Sequence, residues 1–112
     1  MKIVHTNTIE EVGISHNEDI KKKVFIDKGY IPQLMNFSFA TFKPGQFVET
    51  HLHKTMYEVF YIQSGKAEFI INGEKYIVQK GDCITIEAME PHSQSNPFKE
   101  NATWIYFGIA TD

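Results

Sequence analysis

The sequence predicts an all-β fold, a sandwich or barrel of short antiparallel strands, and three observations carry that prediction. Segments such as Asn36-Phe37-Ser38-Phe39-Ala40-Thr41-Phe42 alternate large and small side chains, the period of a strand with two distinct faces. Glycine and proline turns recur between such segments, at Pro44-Gly45, Asn72-Gly73 and Lys80-Gly81-Asp82. No stretch carries the apolar period of a long helix.

Taken in order, the elements follow these signals. The first thirty residues are the least legible: residues 20–26 read as a strand, and Asn17-Glu18-Asp19 as the cap of a single helical turn. Strands are expected at 36–42, 47–53 and 57–62. Residues 67–71 and 75–78 flank Asn72-Gly73, the strongest short hairpin signal in the chain, because both turn positions need positive φ. Further strands are expected at 83–86 and 103–109, with Pro91 and Pro97 bracketing a short segment that carries His92.

With 112 residues, the chain suits one domain spanning 1–112 with one core. Apolar runs do not exceed five residues, too short to span a bilayer. The opening Met1-Lys2-Ile3-Val4-His5-Thr6 lacks the apolar stretch of a secretory signal, so a cytoplasmic protein is expected. A net charge of −3 gives no general attraction to nucleic acid or anionic membranes. Lys21-Lys22-Lys23 is the only basic run and reads as a solvated strand edge. All eleven basic residues are lysine. A substrate carboxylate or phosphate therefore meets no guanidinium fork, only lysine, backbone amides or a metal. Cys83, the single cysteine, reads as a small buried hydrophobe within a strand.

His51 and His53 stand two apart, which on a strand puts both imidazoles on one face, roughly 6–7 Å apart at the backbone. Glu58 follows across the short Lys54-Thr55-Met56 connection, and His92 lies far along the chain after Pro91. His5 and His16 read as ordinary surface or hydrogen-bonded residues.

The spacing of these residues with the glycines around them resembles the cupin family. Gly45, His51-Leu52-His53, Glu58 and Gly65 match its first motif, and Gly81, His92 and Asn96 its second, with fifteen residues between the blocks. Two positions depart: Glu87 stands where the family usually has proline, and Met89 where it usually has glycine. The resemblance implies a double-stranded β-helix, a small jelly-roll cupin barrel. It also implies one metal ion held by His51, His53, Glu58 and His92. Three imidazoles and a carboxylate suit one divalent transition metal, with Fe favoured and Mn, Ni, Cu or Zn possible. Four protein ligands leave two positions of an octahedral shell for water, a chelating substrate or O₂. No thiolate takes part, which argues against a closed structural zinc site.

Strand parity from these ligands gives the expected pocket lining. Glu58 brings Phe60 and Ile62 inward, His51 and His53 bring Glu49 and Phe47, and His92 brings Gln94. Glu49, Tyr57 and Tyr106 are the candidate acid–base groups. The opposite face of the Glu58 strand carries Tyr57, Val59 and Tyr61, so cover is expected there, from the N-terminal segment or from a second copy in a homodimer. Three functions fit: a metal-dependent dioxygenase acting on a small organic molecule, a non-redox isomerase or lyase, or a binding module for a sugar or other small ligand. No nucleic-acid or membrane partner is expected.

Overall fold

A computed structural model describes residues 1–112. One 3₁₀ turn at Thr6–Thr8 precedes ten strands. They are β1 (Val12–Ile14), β2 (Asn17–Ile26), β3 (Leu34–Phe42), β4 (Phe47–His51) and β5 (Met56–Ser64), then β6 (Lys66–Ile71), β7 (Glu74–Gln79), β8 (Cys83–Ile86), β9 (His92–Ser95) and β10 (Ala102–Ala110). They pair antiparallel into a six-stranded sheet, β1-β2-β3-β10-β5-β8, and a four-stranded sheet, β4-β9-β6-β7. No helix is long and apolar enough to cross a membrane.

The two-residue alternation places the core between the sheets. On β10, Ala102, Trp104 and Gly108 face inward and are buried; Phe42, Phe60, Ile62 and Phe69 meet them from β3, β5 and β6. The Trp104 ring centroid lies 4.3 Å from that of Phe42 and 5.5 Å from that of Phe69, with Phe60 edge-on at 6.4 Å. Alanines at 40, 67 and 102, all buried, leave room for the indole.

The turns explain the motif residues. Asn72 (φ 53°) and Gly73 (φ 80°) make the expected hairpin between β6 and β7. Gly65 has φ 74°, and a Cβ there would overlap the Asn101 carbonyl oxygen, so the motif admits no side chain. Asn96 is fully buried: its amide donates to the carbonyls of Phe42 (2.9 Å) and Glu100 (2.7 Å), and its Oδ1 accepts the Phe98 N–H (3.0 Å). It pins the loop between β9 and β10 and carries no free polar atom towards a ligand.

Three expectations about the first half and Cys83 are corrected. Asn17-Glu18-Asp19 begins β2 and caps no helical turn, because Asn17 Nδ2 donates to the Phe47 carbonyl and Gln46 Nε2 to the Asp19 carbonyl, tying the segment to β4. The lysine run lies on β2, which is paired on both sides by β1 and β3 and is no edge. Cys83 is exposed: with Ile86 facing inward on the same short strand, parity turns Cys83 outward.

Candidate metal centre

His51, His53, Glu58 and His92 converge at one end of the space between the sheets, with one donor atom from each lying within 4.8 Å of the others. His51 ends β4, His92 opens β9 directly opposite it, Glu58 comes from β5, and His53 from the β4–β5 connection. Glu58 Oε1 is 3.1 Å from both His53 Nε2 and His92 Nε2.

These donors fit an ion on two counts. Atoms each about 2.1 Å from one metal stand about 3.0 Å apart at right angles and about 4.2 Å apart across it, close to the spread of this cluster. The tautomers agree as well. His92 Nδ1 donates to the Glu90 carbonyl (2.8 Å) and His51 Nδ1 to the Glu49 carbonyl (2.9 Å), since a carbonyl oxygen only accepts. Each neutral ring then presents a bare Nε2 to the cluster, the form and orientation that metal-binding histidines take. For His92 that lone pair faces the Glu58 carboxylate, an arrangement that needs a proton or a cation between them.

The electrostatics follow from the same geometry. Burial acts to raise the Glu58 pKa, but hydrogen bonds from His53 and His92 outweigh it and hold the carboxyl down to about 2. Burial acts to lower the His92 pKa, and the hydrogen bonds to Glu58 and to the Glu90 carbonyl override it, so the net shift is upward. His51 moves down, first through burial, with the neighbouring histidines adding to it. In the metal-free protein, His92 therefore takes a proton at higher pH than His51, and metal must displace that proton. Zinc affinity is expected to weaken already above pH 6.5 and then fall about tenfold per pH unit below the His92 pKa. Zinc titrations at pH 8, 7 and 6 measure this, and a flat affinity across them would contradict it.

The turn that departs from the family pattern supports this cluster. Met89 adopts φ 73°, the left-handed conformation that glycine takes without strain, and its N–H donates to the His53 carbonyl (2.7 Å). Glu87 replaces proline and retains an N–H, which donates to Glu90 Oε1 (2.8 Å). The substitutions keep the turn and fasten it to the residues that carry His53 and His92.

A cavity of about 190 Å³ opens from the cluster into the barrel. That volume admits several waters or a small organic molecule. Phe60, Gln94 and Tyr106 line it, together with Ala40, Val48 and Trp104. Burial, followed by the Glu58 charge, raises the Tyr106 pKa well above its usual value, so its phenol stays protonated.

The remaining expected residues lie elsewhere. Ile62 is fully buried in the core and does not reach the cavity. Phe47 is 54% exposed, and Glu49 is exposed too. A β-bulge is the reason: from Val48 to His51, β4 advances three residues while its partner advances two, from Gln94 to His92. The extra residue turns Val48 and His51 inward, and with them Phe47 and Glu49 outward. Tyr57 is exposed on the outer face of β5, away from Glu58, and has no place among candidate acid–base groups in the cavity.

Two residues not singled out for the site line the cavity. His16, in the β1–β2 turn, stacks on His51 with ring centroids 3.9 Å apart, and is no isolated surface histidine. Lys22 projects from β2 into the same space. Its signal was present in the alternation with buried Ile20, but three consecutive lysines mask the period.

A cupin-domain family model matches residues 38–108, more than half of the chain and all four clustered residues. The chain belongs to the cupin family. Solved cupin-like folds resemble it over nearly its whole length. A predicted oxalate decarboxylase of Thermotoga maritima superposes with TM-score 0.89 at 23% identity, covering 97% of this chain and 99% of that one. The polyketide cyclase RemF of Streptomyces resistomycificus gives TM-score 0.83 at 17% identity, covering 100% and 80%. A sugar phosphate isomerase from the cupin superfamily of Silicibacter pomeroyi gives 0.81 at 17%, covering 98% and 76%. At these identities the likeness is one of fold. An uncharacterised protein, MJ1618 of Methanocaldococcus jannaschii, is 39% identical over 46 residues, 41% of this cupin and 37% of that protein. The matched segment thus spans little more than a third of that relative's length.

Proposed function

We propose that this cupin is a metal-dependent enzyme acting on a small organic molecule, and within that class a dioxygenase. The observation that carries the reading is the placement of the cavity: three of the four donor residues, His51, His53 and Glu58, line it beside its apolar walls. When bound, iron supplies oxygen activation and a redox-inert ion supplies Lewis acidity. The chain's own contribution is enclosure and orientation. Phe60 and Trp104 keep water from one wall, and the protonated Tyr106 phenol offers a hydrogen bond to a substrate oxygen.

A second reading, a non-redox lyase or isomerase, is favoured by Tyr106, the one of the three candidates that lines the cavity, where its protonated phenol serves as a donor to a substrate oxygen and not as a base. The names decarboxylase, cyclase and isomerase among the structural relatives point the same way. Elemental analysis of untagged protein, coupled to oxygen-electrode assays over small chelating substrates, separates the readings. Near-stoichiometric iron with substrate-dependent oxygen uptake is expected. Zinc, manganese or nickel without uptake would transfer the function to Lewis-acid chemistry, or to ligand binding if no product forms.

The functional unit in this reading is a homodimer. Tyr57 and Tyr61 (46% exposed) remain uncovered on the outer face of β5, and the N-terminal segment does not shield them. Light scattering that gives a single-chain mass at tens of micromolar would remove the dimer from the proposal.

A further inference from the structure

Lys22 is the one lysine that lines the cavity, and Glu58 is the one carboxylate there. Glu58 is already engaged by His53 and His92. The lysines beside it are both occupied: Lys21 Nζ donates to the Glu18 carbonyl (2.9 Å) and Lys23 Nζ to the Thr6 carbonyl (3.1 Å). Lys22 Nζ makes no hydrogen bond and no ion pair within the protein. Its position is fixed by register, opposite Val12 of β1 and Ala40 of β3, on the inward face it shares with Ile20. Gln94, 5% exposed, lines the cavity from the facing sheet, and its side-chain amide likewise bonds no protein group. An unpaired ammonium held against apolar walls is an unfavourable arrangement that an anionic ligand would relieve.

We propose that Lys22 binds an anionic group of the substrate, so that the enzyme acts on small organic acids whose carboxylate lies apart from the atoms that meet the metal. This rests on the reading of the cluster as a metal site with a substrate above it. In a chain without arginine, Lys22 supplies the charge recognition that a guanidinium would otherwise provide. Burial lowers the Lys22 pKa and no neighbouring charge compensates, in keeping with a site that lacks its counter-ion. The cavity of about 190 Å³ has room for small acids of this kind.

The test uses zinc-loaded protein and paired probes. Malate, 2-hydroxyglutarate and 2-hydroxyadipate share a hydroxy-acid head that chelates metal and end in a carboxylate; their counterparts replace that carboxylate by an isopropyl group. At least one dicarboxylate is expected to bind about tenfold or more tighter than its counterpart. Lys22→Met should abolish that preference and Lys22→Arg restore it, with zinc content unchanged in both. A second measurement follows the Lys22 side-chain NMR signal of the metal-free protein during acetate titration, where saturable shifts are expected. If all probes bind through the metal regardless of their tails, the metal reading stands and the Lys22 proposal falls. If no hydroxy acid binds but acetate saturates the Lys22 signal, the anion site stands and the metal reading falls. A preference that survives in Lys22→Met, or silence in both measurements, overturns the proposal.

Discussion

Replacing His92 by alanine is expected to reduce metal affinity by at least about 100-fold, leaving purified protein essentially metal-free. The estimate is a lower bound, because loss of an outer partner that merely orients a ligand already costs about 10–100-fold. His92 is 1% exposed, and its ring is oriented by the Glu90 carbonyl so that Nε2 faces Glu58. Its removal takes away a donor and one of the two hydrogen bonds that keep Glu58 ionised. His51→Ala should act in the same direction, since His51 sits opposite His92 across β4 and β9. The barrel itself should persist, because Trp104, Phe69, Phe60 and Ile62 bury the interior independently of the site. Metal analysis beside far-UV circular dichroism reads both effects. Unchanged metal stoichiometry in a folded His92→Ala protein would exclude this cluster as the centre.

Trp104→Ala is expected to cost about 3–5 kcal/mol, the range for deleting a buried large aromatic. Domains of this kind are stable by about 5–15 kcal/mol, so the loss takes a large fraction of the total. The indole is 1% exposed and flanked in register by Ala40 and Ile62, with Phe42 and Phe69 packed on its faces and edges. Ala40 and Ala102 have no side-chain length with which to fill the void, so the site collapses little. Urea unfolding should show a midpoint lowered in proportion with the slope unchanged. A loss below about 1 kcal/mol would mean that the core repacks around the gap.

The fold was legible because its signals are local. Alternation on β3, the bulky apolar runs of β5 and β10 and the Asn72-Gly73 turn each act over a few residues, and the structure places strands there with boundaries displaced by one or two residues. The four clustered residues were legible for another reason: motif spacing encodes where the chain returns to the barrel mouth. What escaped the sequence depends on contacts between distant segments. The bulge between Val48 and His51 moves Phe47 and Glu49 out of the pocket, and nothing in Phe47-Val48-Glu49-Thr50-His51 announces the extra residue. Asn17 and Asp19 look like a helix cap until Phe47 and Gln46 supply their partners. His16 gains its neighbour His51 only when the β1–β2 hairpin folds over the mouth.

The donor residues also belong to different halves of the barrel. His51 and His92 stand on the four-stranded sheet and Glu58 on the six-stranded one. An ion held by all of them is a cross-link between layers otherwise joined by apolar contact, loops and a few hydrogen bonds such as that from Asn17 to the Phe47 carbonyl. Occupancy and resistance to heat are then thermodynamically linked: free metal at a thousand times its dissociation constant adds about 4 kcal/mol to stability. A melting curve taken against each candidate ion therefore ranks the metals by affinity, and does so before any substrate has been found.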